Sequence, residues 1–415
     1  MSFFFTLLDD SLRPRGSRDP IGLELVWSMV GRKLVGNLTT VTSSLDNFIM
    51  ALLGFYLCGD EGRAAPAWEL FERFEQATGH ARAIPGVLGI RRIEASKNNE
   101  TVLLGNSPNA RILDDQKRAG IWGLYSTALT VTGLSTAERL LTLEGHRIAE
   151  IFLAASPYVD VMSPVLNRQC KVLQLPQKDA ISRWVLAVIE CQVGRDALSE
   201  ALLSGGSQGS AWQQELYRQC QKFLQIGSAA DGAVTVRQLL RYLVSNSEPL
   251  ASYAKRLEAL DEALALANQV FFRLLACHGL SESKVVEEMS VLNAWPKHRL
   301  LVPDFPELTD SEWRRRMAVL RKLCEDIRNE DWQTAIRSLL DYHRTIMEPR
   351  GGSPWCFIEN EKIKVVTSSS GAPMPSANEL YEGNFEKWMA GKSTGYFLPS
   401  FLSVLQQTTH IVTSP

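Results

Sequence analysis

No charge of one sign dominates this chain. Lys and Arg number 44 against 46 Asp and Glu, a formal net charge of -2. No global basic field therefore draws the molecule onto nucleic acid or an anionic membrane, and any such contact has to be local. Closely spaced cysteines are missing too. Cys58, Cys170, Cys191, Cys220, Cys277, Cys324 and Cys356 are scattered, odd in number and never in a Cys-x-x-Cys arrangement, which argues against a zinc ribbon and a disulfide framework. They read as reduced, buried thiols of a cytoplasmic protein. Long hydrophobic runs are also absent: Phe48 to Cys58 is about half the roughly 20 residues a spanning helix needs. It reads as a buried core helix, and no membrane association is expected. The apolar start Phe3 to Leu8 lacks a positive n-region and stops at Asp9-Asp10, so a signal peptide is not expected.

Motifs that spell out a reaction are lacking as well. His80, His146, His278, His298, His343 and His410 stand far apart, none in an H-E-x-x-H or Cys/His ligand spacing. No metal and no cofactor are expected. Gly351-Gly352 lacks the following Lys and Ser/Thr that would hold phosphate and magnesium. Gly205-Gly206-Ser207-Gln208-Gly209 matches the G-x-S-x-G string of serine hydrolases, but a helix precedes it where a nucleophile elbow needs a strand. Its composition is that of a flexible linker between subdomains. Glu359-Asn360-Glu361-Lys362 misses by one residue the acid-to-lysine spacing of metal-dependent nucleases and reads as a charged hairpin turn. His146 and Glu150 share a helical face, the usual geometry of a surface contact.

What is present is helical periodicity. With 45% hydrophobic residues the chain can bury substantial cores, and its length suggests about two or three domains. The fold class is mainly α: a multi-domain helical protein with a winged-helix-like module and a small C-terminal β-hairpin. Residues 1–84 form an N-terminal helical region, including a helix from Ala65 to Ala77 ended by Gly79. Residues 85–155 hold the winged-helix-like module, 156–300 a helical scaffold with a long buried stripe from Leu250 to Cys277, and 301–415 a C-terminal region of helices and a hairpin. That hairpin pairs Trp355 to Ile358 with Lys362 to Val366. The segment Arg13-Pro14-Arg15-Gly16-Ser17-Arg18 reads as a solvated loop, or more sharply as an anion contact, because Arg forks suit phosphate and carboxylate alike.

The most informative stretch runs from Ile112 to Ala155. A hairpin of Val87 to Glu94 with Thr101 to Gly105 is expected before it, around Ser96-Lys97-Asn98-Asn99. Asp114 to Thr132 is then the candidate recognition helix, Ser135 to Leu143 a short wing, and His146 to Ala155 the closing helix. Arg91, Arg92, Lys97, Lys117 and Arg118 are the local cations placed to contact phosphate. Arg314-Arg315-Arg316 with Arg321 and Lys322 forms a second basic surface, but neighbouring acids make it read as a solvated face.

The segments Leu7-Leu8-Asp9-Asp10, Arg15 to Gly22, Gly31-Arg32-Lys33-Leu34-Val35, Gly120 to Tyr125 and Gly351 to Trp355 resemble uncharacterised bacterial proteins associated with anti-phage defence loci. That resemblance implies a subunit of a multi-protein defence complex and carries over no catalytic residue. The expected function is a non-enzymatic subunit that touches double-stranded DNA or other protein subunits through the winged-helix-like module. Two rivals stand beside it. One is an effector enzyme such as a nuclease, with His343, Glu348 and Arg350 as its candidate site. The other is a purely structural interaction protein, with apolar patches on residues 156–300.

Overall fold

The computed structural model describes residues 19–59, 67–81, 91–96, 98–156, 159–227, 235–367, 373–380 and 382–409. The first helices are α1 (Leu23–Leu34), α2 (Leu45–Cys58), α3 (Trp68–Ala81) and α4 (Arg91–Ser96), followed by strand β1 (Thr101–Leu103). Helices α5 (Gln116–Ala119), α6 (Ile121–Thr132), α7 (Leu143–Ala155) and α8 (Val159–Leu166) precede β2 (Val172–Gln174). Next come α9 (Leu175–Ile189), α10 (Gln192–Ser204), α11 (Ala211–Gly227), α12 (Val236–Asn246), α13 (Glu248–Leu274) and α14 (Glu282–Met289). The last elements are α15 (Ser311–Arg328), α16 (Trp332–Met347), β3 (Cys356–Glu359), β4 (Lys362–Val365), α17 (Ala377–Leu380), α18 (Glu382–Ala390) and α19 (Leu398–Thr409). The protein is thus mainly helical, with a small antiparallel sheet near its C-terminal end.

Two compact units share this chain. Unit one takes the described residues up to Gly31 and from Phe223 to Tyr396; unit two takes Arg32 to Lys222 and the residues from Phe397 onward. The composition breaks used above fall instead after residues 84, 155 and 300.

In unit two, α2 forms because Ser44 caps it, accepting from Asn47 N at 3.3 Å, and because nearly all its side chains are apolar. It is buried almost all round, as expected of a core helix rather than a membrane span. Among the described residues no helix is long and apolar enough to cross a membrane. Phe55, Phe71 and Trp122 pack edge-on and tilted against one another around its C-terminal half. In unit one, α13 is the long central element. It buries Leu257, Leu260, Leu264, Val270, Phe271 and Leu274, the apolar stripe visible in its sequence.

Several local expectations are corrected. Arg91 to Ser96 is helical, not a strand. β1 pairs antiparallel with the distant β2, with Val102 opposite Leu173, and residues 87–90 lie outside the described residues. A three-residue strand with one buried side chain needs a partner edge, and local sequence does not say which edge supplies it. Helix α3 continues through Gly79 to Ala81. A Cβ at Gly79 would meet Ile93 Cδ1 at 2.9 Å, so the glycine serves close packing rather than termination. The arginine-rich segment 13–18 also lies outside the described residues.

The C-terminal hairpin matches its expectation. β3 and β4 pair in register with Phe357 opposite Lys364, and Asn360 and Glu361 both have positive φ, 51° and 59°. Two left-handed residues make the tight turn whose twist suits a two-residue hairpin.

Candidate functional site

The stretch read as helix, wing and helix forms one tied structure in unit two. Its first helix is broken: Gly120 is extended and separates α5 from α6. The buried Glu75 causes the break. Its Oε1 accepts the Ile121 N–H at 2.6 Å and its Oε2 accepts Gln116 Nε2 at 3.0 Å. A Cβ at residue 120 would meet Glu75 Oε1 at 2.5 Å. α6 ends at Gly133, whose φ of 82° is left-handed. From there Ser135 and Leu141 form an antiparallel bridge, Thr136 N donates to Leu140 O at 2.8 Å, and Thr142 N donates to Leu134 O at 3.1 Å. This short loop occupies the predicted wing. Thr142 closes its base, donating to Gly133 O at 2.8 Å and accepting from Gly145 N to cap α7, which starts at Leu143 rather than His146.

A cleft of about 620 Å³ opens beside this loop. Thr132, Gly133 and Leu134 line it from α6 and the wing base, Glu144 and Arg147 from α7, and Ala197, Glu200, Ala201 and Ser204 from α10. Gly206 and Ser207 complete the wall. Arg147 grips Glu144 with two hydrogen bonds, 2.8 and 2.6 Å, and this holds the Glu144 carboxyl below its usual range. Glu200 adds a second carboxylate, so the lining carries two negative charges against one positive. Leu143, next to Glu144, is 86% exposed.

Ser207 reaches this wall without an elbow. It sits in a short 3-10 turn after α10, with Gly205 in a left-handed cap, so no strand positions it as a nucleophile. No histidine lines the cleft. The segment lies within unit two rather than between subdomains.

Of the five sequence-selected cations, Arg92, Lys117 and Arg118 have described side chains, and none of the three lines this cleft. Arg92 is spent on Asp114 at 2.5 Å and on Arg111 O at 3.0 Å. Lys117 is exposed, its ammonium 6.0 Å from the centre of the Trp68 ring, and Arg118 is exposed on the same short helix. Arg91 starts α4 with its side chain outside the described residues, and Lys97 lies outside the described residues. Arg139, in the bridged loop between α6 and α7, folds back: its guanidinium lies 4.5 Å over the Trp122 ring and donates to Ser126 Oγ. The outward residues of α6 are Leu124, Thr127 and Val131, none of them charged.

The cluster chosen for the enzyme reading disperses. His343 is fully buried, with Nδ1 2.7 Å from Pro20 O and Nε2 2.7 Å from Trp355 N. The carbonyl can only accept and the amide can only donate, so the ring is neutral with its proton on Nδ1. Burial pushes its pKa down to about 4. Glu348 is exposed near Arg344, and Arg350 donates to Asp19 O at 2.6 Å. None of the three lines the cleft beside α7 and α10. On the second basic surface Arg315 and Arg316 hold Glu312, Arg321 holds Asp304 and Lys322 holds Asp326, the solvated, paired face its alternating charges suggest.

Among the described residues no group of three His, Cys, Asp or Glu side chains is placed to hold a metal. Every cysteine is free, and burial raises the thiols of Cys277, Cys324 and Cys356 to about 11, 12 and 12. Such thiols are poor nucleophiles. Sequence reasoning missed Leu143, Glu144, Arg147 and Glu200. The Glu144 to Arg147 spacing of three was a visible helical pair, whereas Glu200 reaches the cleft only through tertiary packing. No family model, no curated protein and no solved structure matches this chain.

Proposed function

We infer that this protein is a non-catalytic scaffold subunit of a multi-protein complex, and that a partner protein docks on the wing side of unit two. One observation carries the reading: Leu143 projects 86% exposed at the end of the wing, immediately beside a cleft with a surplus of carboxylate. An exposed apolar side chain next to a recess is the form of an interface anchor, since burying it on association recovers its hydrophobic free energy. Two carboxylates against one guanidinium repel a phosphate backbone and suit a partner surface bearing a basic residue. The order helix, bridged loop, helix supports a winged-helix-like module with α6 in the recognition position. The uncharged outward face of that helix favours protein over DNA as its ligand. The resemblance noted in the sequence makes a bacterial anti-phage defence complex the proposed setting.

A second reading, double-stranded DNA, is favoured by Lys117 and Arg118, exposed one turn before α6. One experiment separates the two. A photo-crosslinking amino acid at position 143, expressed in the source cell, should give one discrete protein adduct that disappears when Glu144 and Glu200 are both changed to Lys. In parallel, binding to short duplex DNA is measured at two salt concentrations with and without Lys117→Ala and Arg118→Ala. Strong duplex binding that weakens with salt and with those substitutions, without any adduct, would overturn the protein-docking reading.

A further inference from the structure

In unit one the hairpin of β3 and β4 has two edges, and among the described residues only one is covered. Val366 N donates to Trp355 O at 2.9 Å, which makes 355/366 a hydrogen-bonded pair. By the alternation of an antiparallel ladder, the backbone groups of Ile363 and Val365 on β4 then point outward, as do those of Cys356 and Ile358 on β3. The β4 edge is taken: Ile363 N donates to Leu280 O at 3.0 Å, Gly279 N to Ile363 O at 2.8 Å and Val365 N to His278 Nδ1 at 3.0 Å. On the β3 edge no described residue bonds the outward groups of Cys356 or Ile358. Cys356 is fully buried, whereas Ile358 is partly exposed. The accessible edge is therefore at Ile358.

A cleft of about 520 Å³ runs along this edge. Phe357 and Ile358 both line it. Neighbouring residues of a strand point to opposite faces, so a recess touched by both, and by nothing from β4, lies at the strand's rim rather than over one face. Its opposite wall is α16, through Arg337, Leu340 and Arg344 at helical spacing. Pro354 extends the strand side. The result is a helix-walled groove beside an unpaired strand edge, with Leu340 and Phe357 as apolar floor. Arg337 and Arg344, 55% and 57% exposed, stand against one lining carboxylate, Asp341. Arg337 is held by Glu282 in two bonds of 2.6 Å, while among the described residues Arg344 pairs with Asp341 at 3.2 Å and Glu348 at 4.0 Å. Arg344 is thus the cation most readily given up to a ligand.

We propose that this groove binds an extended, acidic segment of a partner protein by adding a strand to β3 at Ile358, with an apolar side chain on Leu340 and Phe357 and a carboxylate on Arg344. Backbone pairing supplies the affinity of such docking, and the alternating side chains supply its selectivity. An open edge of this kind is otherwise blunted or covered, as the β4 edge is here. The surface is separate from the wing-side cleft, and neither proposal depends on the other.

The test uses the full chain and an N-acetylated, C-amidated pentapeptide alternating glutamate and valine, with a lysine-for-glutamate peptide as control. Saturable binding of the acidic peptide, slowed hydrogen exchange at the Ile358 amide in its presence, and at least tenfold weaker binding to Arg344→Glu are expected. The lysine peptide should gain on that variant. Three results would each overturn the proposal: no saturable binding at millimolar peptide, binding that leaves Ile358 exchange unchanged, or protection of Ile358 that rises with protein concentration alone. The last would assign the edge to a second copy of this chain. Far-ultraviolet circular dichroism of Arg344→Glu separates lost binding from lost fold.

Discussion

The carboxyl of Glu75 sits at the N-terminus of α6, 2.6 Å from the amide of Ile121. It stands in for the missing previous turn, meeting one of the amides a helix start leaves unpaired. Burial raises its pKa from 4.5 to about 7, against the lowering effect of that amide and of Gln116. Between these values the folded state holds a proton that the unfolded state has released. Stability from this group is therefore full below about pH 4.5 and declines as pH rises to about 7, by roughly 1.4 kcal/mol per unit. Glu75→Gln should remove that slope. Urea unfolding of both proteins at a series of pH values between 4.5 and 7.5 checks it, and equal slopes would show that Glu75 titrates normally.

Glu75 also shows why part of the stretch from Ile112 to Ala155 was illegible. Asp114 to Thr132 has the composition of one helix, and nothing near Gly120 in sequence announces a carboxylate arriving from α3. The pairing of β1 with β2 and the arrival of Glu200 in the cleft were hidden for the same reason, because long-range partners leave no local period. What was legible was local: the buried stripe of α13, the all-apolar α2, and the hairpin around Asn360-Glu361, where turn chemistry and alternation agree. The site cations were chosen by nearness in sequence, but Arg92 is neutralised by Asp114 in space.

His343 carries the opposite pH signature. Its pKa falls from 6.5 to about 4 on burial, so the unfolded state binds a proton that the folded state refuses between those values. Stability is full above about pH 6.5 and falls with acid through that window, again by roughly 1.4 kcal/mol per unit. His343→Phe should cost about 1–3 kcal/mol at neutral pH, because Trp355 N–H and Pro20 C=O lose their partner. It should also flatten the acid limb. Thermal or urea unfolding at pH 7.0 and 5.0 measures both effects, and a variant as acid-sensitive as the parent would place the titration elsewhere.

Arg237 is 3% exposed and bridges three helices, at 2.7 Å from Glu262 and 3.2 Å from both Glu258 and Glu386. Arg241 and Arg299 also hold these glutamates. Removing Arg237 thus leaves Glu258 and Glu262 one cation each and Glu386 two, but strips Asp261, whose Oδ2 faces Arg237 Nη1 at 4.0 Å. Arg237→Met should lower the unfolding free energy by about 3 kcal/mol, the lower end for a broken buried pair. Asp261→Asn should cost less in that background than in the parent. Chemical denaturation of the four proteins of this cycle gives the coupling, and strict additivity would mean the two groups do not interact.

Gly145 ties the stability of the wing to its proposed use. The residue lies in the first turn of α7, and a Cβ there would collide with the backbone oxygen of Leu134 at the wing base. That oxygen also accepts the Thr142 amide that closes the loop, so it cannot retreat without opening the base. Gly145→Ala should therefore cost about 1–3 kcal/mol, the range for forcing atoms into a packed site, and should displace Leu143, two residues away. Leu143→Ala leaves the backbone alone and should be nearly neutral for stability, because the side chain is already in water. If Leu143 anchors a partner, both variants lose the crosslinked adduct reported from a photoprobe at the neighbouring position 144, but only Gly145→Ala lowers the melting temperature. Retention of the adduct by Leu143→Ala would remove that side chain from the interface. Retention by Gly145→Ala with an unchanged melting temperature would show that the wing base tolerates the extra methyl group.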